Sequence, residues 1–152
     1  MKVAVAGDHA GYPLKKVVVA DLKTDGHEVL DLGCNDPSVP SDYPDFAESA
    51  CEAVRAGRAE RAVVCCGSGV GVTVAANKFP GIRAGLCHDH YSAHQGVEHD
   101  DMNVLCLGAR IVGEEVAREI VRAFLAARYT GAERHARRLG KVKAIEAKFL
   151  KG

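Results

Sequence analysis

No excess charge of either sign, no apolar run long enough to cross a membrane and no CxxC pair occur in this chain of 152 residues. Each absence excludes a class of function. Lys and Arg total 20 against 20 Asp and Glu, so no whole-molecule field draws the chain to nucleic acid or to an anionic membrane. Any anion must be caught locally. The opening Met1–Ala6 reaches Gly7 and Asp8 before a signal sequence or membrane span could develop, which argues against secretion and for a cytoplasmic location. The cysteines at 34, 51, 65, 66, 87 and 106 show no pairing rhythm, and the adjacent Cys65 and Cys66 are poorly placed to bridge within a strand. They read as reduced thiols. No repeat, low-complexity tract or composition shift divides the sequence, so one domain is expected over 1–152.

What is present is alternation. Short apolar runs at Val3–Ala6, Val29–Leu32, Ala62–Cys65, Ala84–Cys87 and Val104–Leu107 read as five buried parallel strands, with helical stretches between them. Pro13 stands early in the first helix and Asp25-Gly26 closes it, while Ser41 to Pro44 introduce the second. The irregular stretch from Gly33 to Pro44 is expected to be a surface loop near the site. Between Gly113 and Arg128, Val116, Ile120, Val121, Phe124 and Leu125 keep helical spacing, and a basic helix follows from about 132, predicted to pack on a partner subunit. Strands alternating with helices imply an α/β sandwich.

Ligands of an open parallel sheet sit beyond the carboxyl ends of the strands. That edge collects Asp8 and His9 after the first strand, Cys66-Gly67-Ser68-Gly69 after the third, His88-Asp89-His90 after the fourth and Arg110 after the fifth. In Cys66–Val72 the glycines let backbone N–H groups turn inward into an anion-binding concavity suited to a developing oxyanion. No Gly-Lys-Ser/Thr follows, which disfavours a nucleoside-triphosphate loop. The run Gly67-x-Gly69-x-Gly71 with Asp89 beyond the next strand partly fits a dinucleotide site, but Val72 takes the third glycine's place and the loop follows the third strand. Cys66 at the mouth of this turn is either a thiolate base or nucleophile or one more small buried residue.

Histidine crowds His88 to His99, and His90 with His94 could share a helical face as metal ligands. No HExxH or inverse motif accompanies them, so a single histidine used for proton transfer is the better reading and no metal is expected. Arg134 and Arg138, four apart, project from one helix face as a clamp for phosphate, with Arg110 a candidate third member. The alternative is a solvated basic helix, shared with Arg137, Lys141, Lys143 and Lys148.

Gly7-Asp8-His9-Ala10-Gly11, Ser41-Asp42-Tyr43-Pro44, Cys66 through Gly71, Ala75-Ala76-Asn77-Lys78, Gly81-Ile82-Arg83-Ala84, His99 through Val104 and Gly108-Ala109-Arg110 together resemble the ribose/galactose-phosphate isomerase family, most closely its type B ribose-5-phosphate branch. The resemblance covers essentially the whole chain. It implies a Rossmann-like three-layer α/β/α fold and a homodimer or tetramer with its active site at the dimer interface. It further implies cofactor-free interconversion of ribose 5-phosphate and ribulose 5-phosphate. Carried over by residue, it makes Cys66 the base, with Gly67, Gly69, Val70 and Gly71 cradling the enediolate. His99 assists ring opening, Asp8 and Ser68 hold the reacting oxygens, and Arg134, Arg138, His9 and Arg110 bind phosphate. Tyr43 and Asp100 lie near the substrate. Two departures stand out: Ser68 where many members have Thr, and Asp100 where many have Asn, the latter losing two donors and adding charge near the enediolate. The turn Tyr129–Glu133 carries one residue more than the family pattern. Galactose 6-phosphate, allose 6-phosphate or a tetrose phosphate remain alternative substrates, and a non-catalytic nucleotide- or sugar-phosphate-binding module is the rival of another class.

Overall fold

The computed structural model describes residues 1–150. Its elements run β1 Lys2–Gly7, α1 Tyr12–Thr24, β2 Glu28–Asp31, α2 Tyr43–Arg55, β3 Arg61–Cys66, α3 Val70–Ala76, β4 Ala84–Leu86, α4 His90–Asp100, β5 Val104–Gly108, α5 Glu114–Ala126 and α6 Glu133–Phe149. All five expected strands form within a residue or two of their predicted bounds. They make one parallel sheet in the order β2-β1-β3-β5-β4.

The three central strands are apolar on both faces, and the two faces differ in size. Val3, Val5, Val63, Leu105 and Leu107 point one way, into a core with Leu14, Val18 and Leu22 of α1 and Ile120 and Phe124 of α5. Ala4, Ala6, Ala62, Val64, Cys66 and Cys106 point the other way, against Ala47, Ala50 and Cys51 of α2 and Val72 and Ala76 of α3. Side chains alternate across a strand, so consecutive residues serve opposite layers. The small-residue face lets α2 and α3 lie close to the sheet; the large-residue face supplies most of the buried side-chain volume. Fully burying one of those large side chains contributes about 1.5–3 kcal/mol.

The helices begin and end as their punctuation implies. Pro13 occupies the first turn of α1, where a missing N–H costs no hydrogen bond, and Gly26 follows the helix with φ of 83°. In α5 the buried stripe is Ala117, Ile120, Val121, Phe124 and Leu125. Val116, expected in that stripe, is 47% exposed, because Ala117 takes the core-facing position and moves it to the rim. No helix among the described residues is long and apolar enough to cross a membrane.

Candidate active site

Strand β3 ends at Cys66, in the middle of the sheet, and the chain turns through Gly67-Ser68-Gly69 into α3. The Cys66 side chain faces the small-residue layer and is nearly buried, but its sulfur borders a cleft. The Gly69 N–H donates to Sγ at 3.0 Å and the Val70 N–H donates to Ser68 Oγ at 3.2 Å. This turn requires glycine at 69. Its φ is 80°, and a Cβ there would stand 2.5 Å from Leu86 Cδ1 and 2.9 Å from the Leu107 carbonyl carbon. Gly71 leaves room for a ring: a Cβ there would lie 2.9 Å from Tyr43.

The cleft has a volume of about 420 Å³ and is lined by Asp8, His9, Tyr43, Cys66, Ser68 and Arg110, among others. Asp8, buried at the end of β1, accepts the Gly11 N–H at 2.8 Å, which fixes the turn into α1. The Ser41 N–H donates to His9 Nδ1 at 3.1 Å, so in the neutral ring the proton sits on Nε2. His9 N–H in turn donates to Ser41 Oγ at 3.0 Å. These two bonds bring the long loop to the cleft. The Arg110 guanidinium lies over Gly67, where a Cβ would stand 3.3 Å from it, and the Arg110 backbone N–H donates to the Gly67 carbonyl at 3.0 Å. The Val70 side chain is exposed, and its N–H is taken by Ser68 Oγ.

The remaining expected residues stand elsewhere. Helix α4 leaves the carboxyl end of β4 and runs back to the amino end of β5, so His99 and Asp100 finish at the opposite edge of the sheet from Cys66. Cys66 pairs in register with Gly108, the last residue of β5. The five residues of β5, rising about 3.3 Å each, therefore separate the two places. Arg134 and Arg138 go with His99: His135, between them on α6, stacks on the His99 ring at 3.9 Å between centroids with 27° between planes. Within one chain, the sulfur and the paired guanidiniums belong to different edges.

Burial raises the thiol pKa at Cys34, Cys65, Cys87, Cys51 and Cys106, to about 11 at Cys87 and about 12 at Cys51 and Cys106. The Cys66 sulfur, by contrast, borders the cleft and accepts the Gly69 N–H. Asp89, the acid of the dinucleotide reading, caps α4 by accepting the Ser92 N–H at 2.7 Å. His94 pairs with Glu98 at 3.2 Å and packs edge-on against His90. No group of three or more metal-ligating side chains gathers among the described residues. Reasoning from sequence missed Gln95, whose amide nitrogen lies 2.8 Å from His99 Nδ1, and the buried His135. The four-residue spacing of Gln95 and His99 on one helix was the available signal.

The model of the ribose/galactose isomerase family matches residues 3–142. Ribose-5-phosphate isomerase B of Escherichia coli is 45% identical over 145 residues, covering 95% of this chain and 96% of that one. D-erythrulose-4-phosphate isomerase 2 of Mycolicibacterium smegmatis is 37% identical over 148 residues, covering 96% and 97%. Among solved structures, ribose-5-phosphate isomerase B of Clostridium thermocellum superposes with a TM-score of 0.94 at 45% identity, covering 98% and 99%. The Mycoplasma genitalium enzyme with bound ribulose-5-phosphate gives 0.90 at 38% identity, covering 97% of each chain.

Proposed function

The chain belongs to the ribose/galactose isomerase family, and from that premise we propose that it interconverts ribose 5-phosphate and ribulose 5-phosphate through an enediolate with Cys66 as base. The observation that carries the assignment of the base is the Cys66 sulfur at the cleft, held by the Gly69 N–H beside Asp8 and Ser68. In the open-chain aldose the Cys66 thiolate takes the C2 proton. The C2–H electrons form the C1–C2 double bond, and O1 takes up the negative charge. The thiol then returns the proton to C1 as the O2 proton passes to O1 and the O2–H electrons close the C2–O2 double bond, leaving the C2 ketone with a neutral O1 hydroxyl and the thiolate regenerated. Abstraction from carbon is feasible only if the neighbouring oxyanion is stabilised as it forms, and that is the work of the Gly67–Gly71 backbone with Ser68. No metal or cofactor takes part.

The second half of the site comes from another copy of the chain. Phosphate needs charged donors, and of the candidate arginines only Arg110 lines the cleft. A homodimer, or a tetramer built from it, brings the partner's His99, Asp100, Arg134 and Arg138 over the cleft, opposite His9 and Arg110. The exposed Val142, Ile145 and Phe149 along α6 fit its role as the helix that docks on that partner. The enzyme works as one domain over 1–152, in carbohydrate metabolism and in the cytoplasm.

A second reading keeps the reaction and shortens the sugar. Asp100 in place of the common Asn changes the charge near the enediolate, the longer turn before Arg134 changes the length of the pocket toward the phosphate, and one relative is named for a tetrose phosphate. A coupled assay across phosphorylated aldoses of four, five and six carbons decides. Highest kcat/KM on ribose 5-phosphate, lost in Cys66→Ala while ligand binding persists, is the expected result. Unchanged turnover in Cys66→Ala refutes the assignment of the base.

A further inference from the structure

We propose that Gln95 and His135 are positioning residues that hold His99 with its proton on Nε2 and its ring plane fixed, ready to protonate the ring oxygen of a cyclic sugar phosphate. The inference deepens the reading above and rests on His99 acting in ring opening.

Three observations converge on the His99 ring. The Gln95 amide nitrogen stands 2.8 Å from His99 Nδ1. An amide NH₂ has only donors to offer, so Nδ1 accepts and the neutral ring carries its proton on Nε2. His135 covers one face of that ring at 3.9 Å, nearly parallel. The platform is itself built: Thr130 Oγ1 lies 2.8 Å from His135 Nδ1, and the Thr130 N–H donates to the Glu98 carbonyl at 3.0 Å, tying the turn before α6 to the last turn of α4. His135 is 3% exposed and its Nε2 is buried with no hydrogen-bond partner among the described residues. A buried nitrogen left unpaired destabilises the fold, so what the position supplies is the flat ring held against His99.

Opening a furanose needs what this arrangement leaves free. The C1–O4 bond breaks with its electrons passing to O4, which takes the Nε2 proton. The O1–H electrons close the C1–O1 double bond, and that proton leaves to solvent, from which Nε2 is recharged. A ring turned in its plane, or protonated on Nδ1 instead, presents a lone pair where a donor is required. Positioned proton transfer is commonly worth about 10²–10⁴ in rate, and its loss through misorientation is a fraction of that.

The test separates ring opening from enolisation. Ribulose 5-phosphate has no furanose form, so exchange of its C1 hydrogen with deuterated water needs Cys66 and the oxyanion turn but no ring step. Gln95→Glu replaces the amide donor by a carboxylate that can only accept, which moves the ring proton to Nδ1. His135→Leu removes the flat platform; His135→Phe keeps it. Gln95→Glu and His135→Leu are expected to lower kcat/KM for ribose 5-phosphate at least ~tenfold while C1 exchange stays within about threefold of the parent, with His135→Phe restoring isomerisation. A merely structural role would lower both rates together and would not single out the aromatic replacement, so parallel loss overturns the proposal. His99→Asn is run alongside. Impaired isomerisation in His99→Asn with full turnover in Gln95→Glu and His135→Leu overturns the positioning role alone, whereas full turnover in His99→Asn overturns the ring-opening role with it.

Discussion

Cys66 and Gly108 are register partners at the carboxyl ends of β3 and β5, and His99 precedes β5 at its amino end, so the sulfur and the imidazole lie a strand's length apart in the same chain. No rotamer of either side chain bridges that distance. In the proposed dimer each chain offers one half of each of two clefts, and the same partner completes both.

Complementation between defective chains follows. Cys66→Ala and His99→Asn proteins, each nearly inactive alone, regain activity when co-refolded, because a mixed dimer restores one intact site. Random pairing gives half mixed dimers with one good site each, or about a quarter of the parent activity. Activity of the mixture no higher than the mean of its components contradicts a shared site.

Alkylation should single out one thiol of six. Burial pushes the thiols of Cys51 and Cys106 up to about 12 and that of Cys87 up to about 11, leaving little thiolate on them at neutral pH. Iodoacetamide is expected to label Cys66 first, with loss of turnover in step, and substrate should protect it. Peptide mass spectrometry reads the order; inactivation without a label on Cys66 refutes it.

Gly69→Ala tests the turn itself. The added methyl meets Leu86 at 2.5 Å and the Leu107 backbone at 2.9 Å on a residue whose φ is 80°. Either the turn moves or strand β5 does. A loss of about 1–3 kcal/mol in stability is expected, with kcat falling further than the melting temperature alone explains, because the N–H on the sulfur is displaced. Parent-like kcat in this variant argues that the turn has no part in the chemistry.

Acid should destabilise the fold through two histidines. His88 accepts the Gly108 N–H at Nε2 and burial lowers its pKa; burial, with His99, Arg134 and Arg138 beside it, lowers that of His135. Unfolded imidazoles titrate near about 6.5, so below that pH the unfolded chain takes up protons that the folded one refuses, and stability falls. Above it both states are neutral and the effect vanishes. The melting temperature should drop from about pH 7 to about pH 5.5, and by less in His135→Phe. An equal drop in that variant removes His135 from the account.

Much of this was legible in the sequence because parallel strands are buried on both faces. Val3–Ala6, Ala62–Cys65 and Val104–Leu107 are continuous apolar runs with no solvent-facing positions to blur them. The Cys66 turn announced itself through glycines that only a backbone under steric pressure needs. The edge on which His99 stands was harder to read, since position along the chain does not say where an eleven-residue helix deposits its last turn. Gln95 and His135 carried no motif. Their meaning lies in a ring stacked between two helices, and Thr130, which joins them, sits in a turn that sequence reasoning treated as a length difference.

The unequal faces of the sheet also set where this protein can tolerate change. On the side of Phe124 and Leu22, large side chains can trade volume with one another. On the other side Ala4, Ala47, Ala50 and Ala62 are wholly enclosed, and α2 rests on them with almost nothing compressible between. Tyr43 stands in the first turn of that same helix and Ser41, which holds His9, just ahead of it. A single added methylene beneath α2 would act as a wedge, and the displacement would be felt at the mouth of the cleft before it was felt as unfolding.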